Sequence, residues 1–274
     1  MSRLHLHILS SGSKGNCALV EGPQGLIMID NGLSRRETLK RMAELGLSAD
    51  DVAALVITHE HGDHIKGLDV WCKHWHGPLF ASRDTLSCKE NLAHLPVEEF
   101  DPGDTLPIAG IHVQTYSTSH DVINPVGYRF NALDDSIGFA TDTGELSSKA
   151  IGILKDCRVL ALESNHDVTM LREGAYPRFL QERILSTKGH LSNNQAAEAA
   201  RDDVRHVGLV DRPGVHLEPL PAVCAGQAVL PHDAADAAPA DGNARPPGRR
   251  LDLARSVPAL AGGVRRRGRP RPRH

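Results

Sequence analysis

The chain has 274 residues and a formal net charge of −3, a balance that marks it for neither a polyanionic nor a polycationic partner. No apolar run reaches the roughly 18 residues of a membrane span, and the opening Met1-Ser2-Arg3-Leu4-His5 lacks the apolar stretch and cleavage site of a secretory signal. A cytoplasmic protein with no membrane partner is therefore expected. The cysteines (Cys17, Cys72, Cys88, Cys157 and Cys224) form no C-x-x-C pair, so buried thiols are expected rather than disulfides or a thiolate metal site.

Strand-like runs open the chain at 4–9, 18–21 and 25–30, bounded by turn-rich segments such as Ser-Gly-Ser-Lys-Gly-Asn (11–16). Ser34 caps a predicted helix that ends near Gly46, with Leu39, Met42, Ala43 and Leu45 as its apolar face. Residues 53–57 are wholly apolar, as a strand buried on both faces requires. Trp71, His74 and Trp75 are assigned to a helix. Further strands are predicted at 78–81, 111–116, 126–132, 137–141 and 159–163, and helices at 84–94, 147–156, 175–186 and 193–200. Two groups of strands with helices between them predict a mixed α/β layered fold.

Beyond about residue 200 the composition changes. No Lys follows Lys188, no Ile follows Ile184, and no aromatic residue follows Phe179. Such a segment offers little to offset the ordering entropy of a packed core. The expected division is a hydrolase domain over 1–200 and an atypical Ala/Arg/Pro/Gly-rich tail, disordered, over 201–274. Two origins stay open: a natural basic tail that brushes nucleic acid, or a shifted reading frame. The frameshift is favoured, because the change interrupts a helical segment begun at Asn193-Asn194-Gln195-Ala196-Ala197, and the nucleotide sequence decides it.

The chemistry concentrates in Thr-His-Glu-His-Gly-Asp-His (58–64), where His59, His61, Asp63 and His64 place four potential metal ligands directly after a buried strand. A lone histidine is ordinarily a satisfied core or surface residue, but this spacing is not explained that way. Two imidazoles one residue apart can address one ion while Asp63 and His64 address a neighbour. These donors suit Zn²⁺ and, more weakly, Mn²⁺ or Fe. His120 and Asp142 follow predicted strands at similar places. Singly each reads as a turn residue; beside the cluster, His120 completes the first trio and Asp142 can bridge. Two divalent ions, zinc foremost, would generate hydroxide at neutral pH.

Around that cluster, Asp63 and His190 are the candidate catalytic residues, His190 as phosphate contact or general acid. Asn165 and His166 are expected to line the cleft and Asp30 to orient a ligand histidine. The loop carrying Ser13 and Asn16 could present backbone N–H groups to a phosphate, with Lys14, Arg35, Arg36 and Lys66 at the rim.

His-x-His-x-Asp-His, the later Ser-His and Thr-Asp-Thr-Gly resemble the metallo-β-lactamase superfamily. Leu-Ser-Ser-Gly-Ser-Lys-Gly-Asn (9–16), Leu-Glu-Ser-Asn-His-Asp (162–167) and Lys-Gly-His-Leu-Ser-Asn-Asn (188–194) resemble its YycJ/WalJ-like exonuclease branch, over roughly residues 3–200. The resemblance implies a four-layer αββα sandwich, a dinuclear metal centre and removal of nucleotides from a 5′ end of DNA. It places His59, His61 and His120 on the first ion, Asp63 and His64 on the second, and Asp142 between them. It also implies one more histidine, in an Ala-His-Leu-Ser-like segment that this chain lacks; His216, and less so His206, stand nearest that place. Two alternatives remain: a thioester, lactone or β-lactam hydrolase using the same ions, or a catalytically impaired chain.

Overall fold

A computed structural model of the chain describes residues 3–203 and 207–209, with side chains as far as Arg201. Residues 204–206 and 210–274, with His206 and His216, lie outside the described residues, and with them the expectations made for the tail.

The first half of the chain builds one sheet from β1 (His5–Ser10), β2 (Cys17–Gly22), β3 (Gly25–Ile29), β4 (Val52–Ile57), β5 (Leu79–Ser82) and β6 (Val97–Phe100), in that spatial order. The first three strands form an antiparallel meander, and β3 to β6 run parallel. The second half repeats the plan. Strands β7 (Thr105–Ile108), β8 (Ile111–Ser117), β9 (Val126–Ala132) and β10 (Asp135–Ala140) are antiparallel, and β11 (Val159–Leu162) and β12 (Val207–Leu209) continue in parallel. Parallel neighbours need long connections, and these supply the helices. They are α1 (Arg35–Glu44), α2 (Gly62–Ile65) and α3 (Leu68–Cys72) in the first half, then α4 (Ser148–Leu154), α5 (Val168–Glu173), α6 (Arg178–Leu185) and α7 (Asn193–Asp203).

Alternation along each strand sends neighbouring side chains to opposite faces. Val20, Ile27, Ile29, Ala54 and Val56 of the first sheet meet Val113, Tyr128, Phe130, Ile137 and Phe139 of the second in a central core. The opposite face of the first sheet, with Leu19, Met28, Leu55 and Ile57, packs on Met42 of α1 and on Leu68 and Trp71 of α3. The outer face of the second sheet, with Ala140, Leu160 and Leu162, packs on Ala150 and Leu154 of α4 and Ala196 of α7. Three apolar layers between four polypeptide layers make the αββα sandwich. Val52–Ile57 contributes to two cores at once, which is why it reads as a continuous apolar run.

Ser34 caps α1, its side chain accepting from the Glu37 N–H. Residues 84–94 do not form the predicted helix. They fold as successive turns that plug Leu86 and Leu92 into the core beside α3, with Asp84 in a left-handed conformation at φ 65°. The edge strands β6 and β7 carry little apolar signal: Glu98 and Glu99 face solvent, and β7 contains Pro107, which an edge tolerates. Helix α5 starts at Asp167, whose carboxylate accepts from the Met170 N–H. Helix α7 reaches Asp203, and β12 adds an edge strand beside β11. Of the cysteines, Cys17 and Cys157 are buried, whereas Cys72 is half-buried and Cys88 exposed, so only two of the described four are the buried thiols expected. No described helix is long and apolar enough to cross a membrane.

Candidate metal centre

The candidate ligands sit just past the carboxyl ends of strands that run the same way within each sheet, the usual place for a site on such folds. His59 follows β4, His61 caps α2, and Asp63 and His64 lie in its single turn. From the second sheet come His120 after β8, Asp142 after β10 and Glu163 after β11. The two sheets are tied next to the site, where the Tyr128 hydroxyl donates to the Ile57 carbonyl at 2.5 Å and the Val126 N–H to that of Thr58 at 3.0 Å.

His59, His61 and His120 meet at one point. His61 Nδ1 lies 3.1 Å from His59 Nε2 and 3.1 Å from His120 Nε2. The far sides of two rings are already occupied. His120 Nδ1 donates to the Gly189 carbonyl at 3.1 Å, and His59 Nδ1 to the Thr58 hydroxyl at 3.0 Å. That hydroxyl donates on to Asp30 at 2.8 Å. The inward Nε2 atoms of His59 and His120 therefore carry lone pairs, both within 3.1 Å of His61 Nδ1. Tetrahedral ligands at zinc–nitrogen bonds of about 2.0 Å stand about 3.3 Å apart, so the spacing fits a cation. Burial and then His64 lower the pKa of His59 well below the ordinary imidazole value, and burial and then His120 lower that of His61 to about 4. Neutral imidazole is the form that ligates.

A second set adjoins the first. His64 Nε2 lies 3.2 Å from Asp142 Oδ2 and 3.7 Å from Asp63 Oδ2. Its Nδ1 donates to Asp30 at 2.7 Å, and Asp30 also accepts the Thr58 N–H at 2.8 Å. The orienting role expected of Asp30 thus has its bond. Asp30 and Asp142 both take left-handed backbone conformations, at φ 57° and 49°, which Asp tolerates better than most residues. Burial alone would raise the pKa of Asp142, but His64 and its hydrogen bond hold it well below the usual carboxylate range. His59, His64 and Asp142, like His120, Asp142 and His190, have ligand atoms within 4.8 Å of one another. The donor set suits one or more divalent cations.

His190 is reached from a different direction. Its Nδ1 donates to Glu163 Oε1 at 2.9 Å and lies 3.6 Å from Asp142. Burial would lower its pKa, but the Glu163 carboxylate outweighs burial and raises it to about 9. Glu163 is buried and also accepts the Thr143 N–H at 3.2 Å. The sequence does not single out Glu163 or Asp121. Asp121 stands 3.7–3.8 Å from His120 and His61 and accepts from Arg183 of α6 at 2.6 Å. The signal was available, since Asp121 directly follows the candidate ligand His120. Glu60 of the histidine run is no ligand: it turns away and accepts the Ile123 N–H at 2.9 Å.

The expected substrate-binding residues fare unevenly. Ser13 and Asn165 are exposed near the site's loops. His166 is only 1% exposed, which closes it to direct contact with substrate in this arrangement. Asn16 points inward, its amide on Asp63 and His64 at 2.9 Å each. Lys66 is used structurally, bonding to the Lys14 carbonyl.

A beta-lactamase superfamily domain matches residues 26–205. The exodeoxyribonuclease YycJ of Bacillus anthracis is 36% identical over 214 residues, covering 75% of this chain and 81% of that protein. The exodeoxyribonuclease WalJ of Streptococcus pneumoniae is 37% identical over 198 residues, covering 70% and 74%. Among solved structures, Zn(2+)-bound PqqB from Methylobacterium extorquens superposes with a TM-score of 0.61 at 14% identity, over 75% of this chain and 88% of that one, a likeness of fold. The chain belongs to the metallo-β-lactamase superfamily, within its YycJ/WalJ-like branch. It is an enzyme of the metal-dependent hydrolase class.

Proposed function

We propose that the chain is a phosphodiester hydrolase that removes nucleotides from a 5′ end of DNA, with two divalent ions, zinc foremost. The observation that carries this reading is the likeness, at 36–37% identity over 198–214 residues, to two exodeoxyribonucleases. The rim adds support. Phe179, at 60% exposure the one exposed aromatic among the described residues, offers a base-stacking face one turn before Arg183, the arginine that holds Asp121 beside His61 and His120. The catalytic unit in this reading is the segment to about residue 200 together with β12.

His59, His61 and His120 would hold the first ion, Asp63 and His64 the second, with Asp142 shared between them. Bound there, the ions supply a hydroxide at neutral pH and neutralise charge on a phosphoryl group. The chain's own residues do the positioning. Asp30 fixes the His64 tautomer, and through Thr58 that of His59, so that their Nε2 lone pairs face inward. Glu163 holds His190 through Nδ1, which leaves Nε2 to protonate a leaving oxygen.

The test is metal-loaded protein assayed on 5′-labelled duplex DNA alongside a panel of thioesters and lactones. Release of labelled nucleotides is expected. Turnover confined to thioesters or lactones would sink the nuclease reading, and metal-loaded protein with no turnover at all would identify an impaired chain.

A further inference from the structure

Asn16 lies in the loop between β1 and β2 and belongs to no recognised ligand set, yet three of its contacts reach Asp63 and His64 and two more tie it to Gly12 and Gly32. Its backbone N–H donates to the Asp63 carbonyl at 2.7 Å, and its own carbonyl accepts the Gly32 N–H at 2.8 Å. Its side-chain Oδ1 accepts the Gly12 N–H at 2.8 Å, which folds the Ser11–Gly15 loop back over it. That leaves Nδ2, which donates to Asp63 Oδ2 at 2.9 Å and stands 2.9 Å from His64 Nε2.

The surroundings make this approach possible only for a particular backbone. A Cβ on Gly32 would lie 1.6 Å from the Asp63 carbonyl oxygen and 2.6 Å from the Asn16 nitrogen. The junction of the β1–β2 loop, the β3–α1 loop and α2 is therefore closed by backbone contact, and the Asn31 N–H completes it by donating to the His64 carbonyl at 2.8 Å. α2 has only four residues, so the turn depends on neighbouring loops to fix it. Asp63 is half-exposed on that turn, while His64 is fixed by Asp30. A carboxylate left to rotate loses ligand affinity through the entropy of ordering it.

We propose that Asn16 is the positioning residue for the second metal ion: its amide donor holds the Asp63 carboxylate in register with His64. This rests on the two-ion reading above. Asn16 is thereby reassigned from substrate contact to the scaffold of the centre. A carbonyl-type side chain with a donor is required; a carboxylate of the same shape would keep the Gly12 bond but repel Asp63.

Stepwise zinc titration of the full-length apo-protein by calorimetry, with chelator competition, tests this on the wild type, Asn16→Ala and Asn16→Asp. The apo-proteins are first compared by thermal melting. Two ions are expected on the wild type. Both variants should bind the first ion as the wild type does and the second at least about tenfold more weakly. Asn16→Asp separates position from charge, because added negative charge alone would tighten the second ion. Second-ion affinity in Asn16→Asp equal to or above the wild type overturns the proposal, as does an unchanged second ion in Asn16→Ala. A wild type that binds a single ion overturns the two-ion reading itself.

Discussion

Single side chains in this centre are fixed by buried partners whose loss has a calculable cost. Asp30 accepts from the Thr58 N–H, the Thr58 hydroxyl and His64 Nδ1, all in the interior. Asp30→Asn tolerates the left-handed backbone but brings a donor where acceptors are needed, so at least one buried donor goes unmet. The expected loss is about 1–3 kcal/mol of stability, read by urea unfolding of the metal-free protein, where an unchanged midpoint would refute the account. The clustering of His59, His61, His64, His120 and Asp142 was legible in the sequence because ligand chemistry needs those atoms and offers few substitutes. Glu163 was not, because a carboxylate at a strand end looks the same whether it meets solvent or clamps an imidazole. Asn16 stood out as part of a Gly-Ser loop that suggests a phosphate contact; that its amide turns inward to Asp63 and His64 is visible only in the three-way junction.

Whole elements were legible to the extent that their burial is periodic. The strands from β1 to β4 and from β8 to β11 carry apolar side chains to at least one core, and their bounds were read to within about two residues, the ordinary precision of strand ends. Residues 84–94 misled because they contain no glycine or proline to mark the turns between β5 and β6. One clamp between elements bears on acid stability. Asp135 at the start of β10 accepts from Arg158 at 2.5 and 2.8 Å and from the Leu4 N–H at 2.8 Å, and Arg158 donates to the Leu4 carbonyl at 2.7 Å, tying the entry to β1 to the second sheet. Burial would raise the pKa of Asp135, but Arg158 and the Leu4 amide outweigh it and hold the carboxyl below the usual Asp range. A depressed folded-state pKa contributes stability that is present above the unfolded value near 3.9 and lost as pH falls through the folded one. Thermal melts between about pH 6 and pH 2.5 should show this loss, and Asp135→Asn should flatten it; identical acid slopes in the two proteins would exclude the clamp as its source.

Across the whole molecule the centre joins the two sheets, with His59, His61, Asp63 and His64 on one and His120 and Asp142 on the other. A cation held there binds only the folded chain. At a free concentration about 100 times its dissociation constant it adds about 2.7 kcal/mol, which for a chain of this size is about 5–10 °C in melting temperature. Chelated protein should melt lower by that margin and recover when zinc is returned; an unshifted melt would mean that the donors do not close around an ion.

The doubled plan of the sheets also sets an order of events during synthesis. Everything up to β6 is made before any strand of the second sheet exists, so Val20, Ile27, Ile29 and Val56 leave the ribosome with nothing to lie against. Their cover arrives only with β8 to β10, and the chain must grow to His190 before the last described donor reaches the centre. A nascent chain stalled near residue 100 would display a greasy, half-finished face and only the first sheet's share of the metal donors. Premature termination in this gene is therefore a hazard of aggregation as well as of lost activity.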